Sequence, residues 1–107
     1  MRYLFLLNPT AGKRDCTAEL APAIQAAAQR AGIPPEKRKV VVTRYAGHAR
    51  ELAAEAAHTA QADGEPVRIW TAGGDGTFNE ALTGAQGCSL AAVGCLPFGS
   101  GNDFLRT

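Results

Sequence analysis

Two kinds of hydrophobic pattern alternate along this chain. Short segments at residues 3–7, 39–43, 67–72 and 90–96 are predominantly apolar, whereas the segments between them have apolar positions every three or four residues. Short apolar runs bounded by turn-forming residues are typical of strands buried in a parallel sheet. We therefore predict four strands separated by helices.

The helical periodicity predicts three helices between these strands. The first begins near Asp15 or Thr17, either of which can cap it, and ends at about Arg30, before Gly32. A second, alanine-rich helix covers about residues 48–62, a short third helix covers about 77–83, and a further helix begins at 102. The apolar faces of the first two helices are formed by Leu20, Ala23, Ile24, Ala27, Ala28 and Ala31, and by Leu52, Ala53, Ala56, Ala57 and Ala60, respectively. The small alanine face predicts close packing of the second helix on the sheet.

This element order predicts an α/β fold, a three-layer Rossmann-like parallel sheet with helices on both faces. Right-handed crossovers place every strand-to-helix connection at the carboxyl edge of the sheet. We therefore expect the connections after the first, third and fourth strands to face one crevice. The pattern leaves the strand order open, and we favour 3-2-1-4.

Composition limits the classes of function. The 107 residues suffice for one small domain, and the net charge of +1 gives no field that would recruit nucleic acid. Three cysteines, Cys16, Cys88 and Cys95, show no C-x-x-C spacing, which predicts reduced, mostly buried thiols in a cytoplasmic protein and no zinc site. No apolar segment is long enough for a transmembrane helix.

The most informative connection is Gly-Gly-Asp-Gly-Thr-Phe-Asn at residues 73–79, directly after the third predicted strand. Three glycines in four residues allow backbone N–H groups to approach phosphate oxygens. Asp75 would repel a bare phosphate, so it holds Mg²⁺, takes a proton or orders the loop. The structural alternative is a tight turn with Asp75 as the helix cap, and Glu80 is explained equally well as a favourable charge near the helix start.

Two other connections have related features. Residues 8–12, Asn-Pro-Thr-Ala-Gly, precede Lys13 and Arg14 and suit either phosphate contact or an ordinary turn, without the P-loop pattern. Residues 99–103 form a second glycine loop, in which Ser100 and Asn102 could bond a phosphate or ribose. Phe104 stands where the dinucleotide fingerprint requires glycine, which argues against a dehydrogenase.

Three further residues have structural and functional interpretations. Thr43 ends the second predicted strand, so its hydroxyl can reach the crevice. His48 fits a solvated or capping residue better than a general base. Trp70 fits core packing better than base stacking, because it lies within an apolar strand.

Three motifs together resemble a known family. N-P-x-x-G at residues 8–12, G-G-D-G-T-x-N-E at 73–80 and P-x-G-S-G-N-D-F at 97–104 are similar, in this order, to the signatures of the diacylglycerol kinase catalytic domain. The likeness is greatest to the bacterial soluble lipid kinases related to sphingosine and ceramide kinases. NAD kinases and phosphofructokinases have loops similar to the second motif, but the third motif separates the lipid kinases from both.

The resemblance implies ATP-dependent, Mg²⁺-dependent phosphorylation of a lipid hydroxyl in phospholipid biosynthesis. Phosphoryl transfer needs mainly positioning and charge neutralisation, which fits loops of backbone N–H groups around a metal-bound triphosphate. For Asp75 the resemblance implies a site-ordering or metal-related role. The residues that it implies for the nucleotide site are Asn8, Pro9, Thr10, Ala11, Gly12, Thr43, Gly73, Gly74, Asp75, Gly76, Thr77, Phe78, Asn79 and Ser100. An NAD kinase-like or other small-alcohol kinase, or a nucleotide-binding module without catalysis, are the alternatives.

Members of this family continue into a second, mostly β domain that forms the lipid site and carries the proposed proton acceptor. Residues 1–107 therefore look like the N-terminal nucleotide-binding part of a longer enzyme, with little activity alone. We expect the lipid acceptor to bind through that second domain and any membrane contact to be peripheral. The oligomeric state is left open by the sequence.

Overall fold

The computed structural model describes residues 1–8, 17–72 and 75–95. Most of the first connection, Gly73 and Gly74, the glycine loop at 99–103 and the helix predicted from 102 lie outside the described residues. The described elements are β1 (Arg2–Leu7), α1 (Thr17–Arg30), a short 3₁₀ turn (Pro35–Lys37), β2 (Arg38–Val42), α2 (His48–Asp63), β3 (Val67–Ala72), α3 (Asp75–Gly84) and β4 (Ala91–Cys95). Strands and helices occur in the predicted order, and the first and last residue of each described strand and α-helix lie within two residues of the predicted ones.

The described strands form one parallel sheet in the order β2-β1-β3-β4. Leu4 of β1 is in register with Lys39 of β2 on one side and Ile69 of β3 on the other. The favoured order 3-2-1-4 is therefore wrong. It would have enclosed β2, whose Lys39 is exposed, and left β3 at an edge, although Ile69 is completely buried. Burial of the more apolar strand explains why β3 lies inside the sheet.

The helices cover opposite faces of this sheet, as predicted. On one face Ile24 of α1 packs with Phe5 and Leu7 of β1. On the other face Leu4 and Leu6 of the same strand pack against the alanines of α2 and against α3. The alanine face of α2 is buried as expected, with Ala49, Ala53, Ala57 and Ala60 inside and Leu52 and Ala56 partly covered.

Gly84 brings α3 into backbone contact with α2. A β-carbon at this position would lie 2.2 Å from the carbonyl oxygen of Arg50 and 3.0 Å from the backbone nitrogen of Ala54. The third helix was predicted to end at about residue 83, but it includes Gly84 as its last residue. Its missing side chain is what allows the two helices to approach so closely.

An ion-pair cluster fixes the amino edge of the sheet. The Glu65 carboxylate lies 2.8 Å from Lys37 Nζ, 3.2 Å from Arg2 Nε and 3.1 Å from the amino group of Met1. The hydrogen bonds from Lys37 and from that amino group lower the pKa of Glu65 to about 2. The cluster therefore stabilises the fold while Glu65 is ionised.

Two of the three cysteines lie within the described residues, and both are free thiols. Cys88 is half-buried, whereas Cys95 is exposed. The prediction of mostly buried thiols is wrong for Cys95, because it ends β4 at the edge of the described sheet. Among the described helices, none is long and apolar enough to cross a bilayer.

Candidate functional site

The strand order creates a topological switch point between β1 and β3. From β1 the chain passes through α1 to β2 on one side, and after β2 it returns through α2 to β3 on the other side. α1 and α2 consequently cover opposite faces of the sheet. Connections diverge at such a point and leave a crevice at the carboxyl ends of the strands, where open α/β sheets bind ligands.

Asn8 and Thr77 meet at this switch point. The backbone N–H of Asn8 donates to the carbonyl of Ala72 at 2.9 Å, which extends the pairing of β1 with β3. Asn8 Nδ2 then donates to Thr77 Oγ1 at 3.1 Å, and Thr77 is only 4 % exposed. The first and third connections were expected to converge, and this hydrogen bond joins a candidate residue from each of them.

Thr43 lies at the same edge, directly after β2. Its backbone N–H donates to the carbonyl of Leu7 at 2.8 Å, and its hydroxyl lies 3.3 Å from the same carbonyl oxygen. Both bonds tie the start of the β2–α2 connection to the end of β1. The buried Thr43 side chain is thus near the crevice, with its hydroxyl hydrogen directed back to the strand.

The β2–α2 connection is a short turn that is partly stabilised by contacts among its own residues. Gly47 has a φ of 90°, a left-handed conformation that favours glycine, and it immediately precedes α2. His48 Nδ1 accepts a hydrogen bond from the N–H of Arg44 at 3.0 Å, and its ring stacks on Tyr45 with a centroid separation of 4.4 Å. These contacts give His48 a structural role within the turn.

Glu80 joins this turn to α3. Its Oε2 accepts a hydrogen bond from the N–H of Gly47 at 3.2 Å, across 33 residues of sequence. The sequence left Glu80 either facing the crevice or acting as a favourable charge near the helix start, and it did not predict this contact. The available signal was the spacing of Thr77, Glu80 and Gly84, which places all three on one face of α3.

The remaining described candidates lie in the first turns of α3. Asp75 is the first residue of this helix, Gly76 and Asn79 are exposed, and Phe78 is half-buried. A β-carbon on Gly76 would meet no described atom within 4 Å. Gly76 also lies outside the set of described glycines with positive φ. Neither its conformation nor its described neighbours therefore require a glycine at this position.

The candidates Pro9, Thr10, Ala11, Gly12, Gly73, Gly74 and Ser100 lie outside the described residues. The described part of the chain thus supplies contacts among the first, second and third connections. How the glycine loop at 99–103 completes this arrangement stays a prediction.

Trp70 lies within the sheet, as its position in an apolar strand suggested. Its ring covers Gly94 of β4, where a β-carbon would lie 2.8 Å from a ring carbon. Its Nε1 atom is buried and has no hydrogen-bond partner among the described residues. The contact with Gly94 supports packing rather than base stacking.

A separate groove of about 230 Å³ lies among the amino ends of β1 and β2 and the outer side of α2. Its cationic residues include Arg2, Lys37 and Arg38, which bond to Asp63, Glu65 and Gln25, respectively. Lys39, which is exposed, also lines this groove, and the groove lies at the opposite edge of the sheet from Asn8 and Thr77.

Comparison with known proteins gives a consistent family assignment. The model of the family described as diacylglycerol kinase catalytic domain matches residues 2–107. Sphingoid long-chain bases kinase 1 of Arabidopsis thaliana is 34 % identical over 113 residues, which cover 99 % of this chain and 14 % of that protein. The crystal structure of a candidate diacylglycerol kinase from Bacillus anthracis str. Sterne matches 98 % of this chain and 33 % of that one, with 26 % identity and a TM-score of 0.64. The chain therefore spans about a seventh and a third of the lengths of these two relatives.

Proposed function

The chain belongs to the diacylglycerol kinase catalytic domain family, and we propose that it forms the ATP-binding part of a lipid kinase. This part binds ATP at the carboxyl edge of the sheet, and the complete enzyme transfers the γ-phosphate to a lipid hydroxyl, with diacylglycerol as acceptor and phosphatidic acid as product. The observation that carries the proposal is the Asn8–Thr77 hydrogen bond at the switch point between β1 and β3. It joins the first two of the three family motifs.

The start of α3 suits a phosphate group. The first N–H groups of a helix have no partners within the helix, and the helix dipole favours negative charge there. Gly76 has no side chain, and no described atom lies within 4 Å of the position that its β-carbon would occupy. We assign Gly76 and Thr77 to the phosphate end of the nucleotide and Thr43 to the adenine end.

The same residues fit a nucleotide that carries its own cation. Mg²⁺ bound to ATP would neutralise phosphate charge during transfer. Among the described residues, no group of three His, Cys, Asp or Glu side chains could hold a metal ion. We therefore assign this chain the task of orienting the metal–nucleotide complex, with Asp75 ordering the loop or contacting the metal.

The acceptor and the proton acceptor are assigned to a further segment. The matched relatives are a sphingoid base kinase and a candidate diacylglycerol kinase, and most of each lies beyond the matched region. We propose that a β-rich domain in the complete enzyme binds the lipid and supplies the carboxylate that takes the hydroxyl proton. The protein would then be cytoplasmic and contact membranes only at their surface.

The direct test measures transfer of radiolabelled phosphate from ATP by the longest natural polypeptide that contains this sequence. Diacylglycerol, a sphingoid base and NAD are offered separately, with lipids in mixed micelles. We expect labelled phosphatidic acid, and we expect Asp75→Asn to reduce its formation sharply without altering the thermal melting profile. Labelling of the sphingoid base instead would contradict diacylglycerol as the acceptor but would support lipid kinase activity. Labelled NADP, or ATP binding without transfer to any acceptor, would contradict the proposal.

A further inference from the structure

Glu80 joins α3 to the β2–α2 turn, which lies 33 residues earlier in the sequence. It is half-buried on α3, and its Oε2 accepts the hydrogen bond from the N–H of Gly47. Gly47 closes the turn that begins at Thr43, which is bonded to the end of β1. A side chain on α3 thus holds the far end of the turn, while β1 holds its beginning.

The carboxylate also acts as a cap for α2. Gly47 is the residue preceding this helix and has no side chain that could cap the N–H groups of the first turn. A negative charge near a helix N-terminus is favourable. Glu80 supplies that charge from a neighbouring helix, so the contact stabilises the start of α2 as well as the turn.

The position of Glu80 is fixed on both sides along α3. One turn before it, Thr77 accepts the hydrogen bond from Asn8. One turn after it, Gly84 packs against the backbone of Arg50 in α2 with no room for a side chain. One face of α3 therefore contacts the end of β1, the β2–α2 turn and the body of α2.

We propose that Glu80 is a positioning residue that holds the Thr43–Gly47 turn in place for nucleotide binding. The inference rests on the proposed function, because it assigns Thr43 to the adenine end and α3 to the phosphate end of ATP. Glu80 itself is not assigned a contact with the nucleotide. Its role is to fix the distance between the two groups of residues that bind the ends of the ligand, which lowers the cost of ordering them on binding.

The test compares Glu80→Ala with Glu80→Gln in the 107-residue chain, using Glu55→Ala as the control. Glutamine retains an oxygen that can accept the Gly47 N–H, whereas alanine does not. Glu55 is an exposed glutamate on α2. Hydrogen exchange at the Gly47 amide is followed by NMR, and the Kd for Mg²⁺–ATP is measured by calorimetry.

We expect Glu80→Ala to accelerate exchange at Gly47 and to weaken ATP binding by about tenfold, the scale of one lost hydrogen bond to a charged acceptor. Glu80→Gln should restore most of both properties, and Glu55→Ala should change neither. Ala26→Gly, an exposed substitution in α1, provides a variant that is less stable for an unrelated reason. It should retain the parental Kd at a temperature where the chain is fully folded.

The outcomes separate this inference from the proposed function. Unchanged exchange at Gly47, or an unchanged Kd in Glu80→Ala, would overturn the positioning role while ATP binding by the parent chain stood. An equal loss of ATP affinity in Ala26→Gly and in Glu80→Ala would also overturn the positioning role, since general destabilisation would then explain the effect. Failure of the parent chain to bind ATP would instead refute the proposed function, and the nucleotide role of Glu80 with it.

Discussion

Gly76→Ala is the substitution for which the described fold and the proposed nucleotide site predict opposite effects on stability and on ligand binding. Gly76 is the second residue of α3, is exposed, and has no described atom within 4 Å of the place where a β-carbon would be added. Glycine destabilises a helix because it loses more backbone freedom on folding than alanine does. The fold alone would therefore favour alanine at this position.

The expected gain in stability is about 0.5–1 kcal/mol, the usual difference between glycine and alanine in a helix. For a domain of this size, that gain corresponds to a rise of about 2–8 °C in melting temperature. If a phosphate group occupies the space beside Gly76, an added methyl group there costs about 1–3 kcal/mol. The affinity for Mg²⁺–ATP should therefore fall roughly five- to 150-fold. Stability and affinity would then change in opposite directions.

The assay combines thermal unfolding followed by circular dichroism with calorimetric titration of Mg²⁺–ATP. Thr83→Ala is the matched control, because Thr83 is exposed on the same helix and alanine has the higher helix propensity. Among the described groups, the Thr83 hydroxyl bonds only the carbonyl of Asn79, at 2.9 Å. This substitution should leave the Kd unchanged. A more stable Gly76→Ala chain with the parental Kd would refute the reasoning that this glycine leaves room for phosphate.

Two further predictions concern the fold. Gly84→Ala should destabilise the chain by about 1–3 kcal/mol in urea unfolding, because its β-carbon would lie 2.2 Å from the Arg50 carbonyl oxygen; unchanged stability would show that α2 and α3 are not in backbone contact. Glu65→Gln should lower the stability of the fold at pH 7 and flatten the pH dependence of that stability. The pKa of Glu65 falls from 4.5 to about 2 on folding, so its contribution to stability is complete above pH 4.5 and is lost as the pH falls toward 2. Parallel unfolding curves for Glu65→Gln and the parent chain across that pH range would contradict the role assigned to the ion-pair cluster.

The sequence was sufficient to predict the elements and the edge of the sheet at which Asn8 and Thr77 lie. Apolar runs such as Tyr3 to Leu7 are strong signals because a central parallel strand is buried on both faces. Once the strands are parallel, the topology requires Asn8 and Thr77 to lie at the same edge. Their hydrogen bond also requires β1 and β3 to be neighbours, which the favoured strand order did not provide.

Contacts between elements could not be predicted in the same way. Strand order depends on which neighbour best covers each strand, and the difference in burial between Lys39 and Ile69 becomes apparent only in the assembled sheet. The bond between Glu80 and Gly47 spans 33 residues and depends on how two helices pack. Gly84 was interpreted as a helix stop because a close helix contact and a loop both favour glycine.

Backbone amide NMR shifts of the 107-residue chain, recorded during titration with Mg²⁺–ATP, show at which edge of the sheet the nucleotide binds. We expect saturable shifts at Asn8, Thr43, Gly76 and Thr77, which lie at the carboxyl edge of the sheet, and little change at Arg2 and Glu65 at the amino edge. Saturable shifts confined to the amino edge, or no shifts at ATP concentrations in the millimolar range, would contradict the proposed nucleotide site.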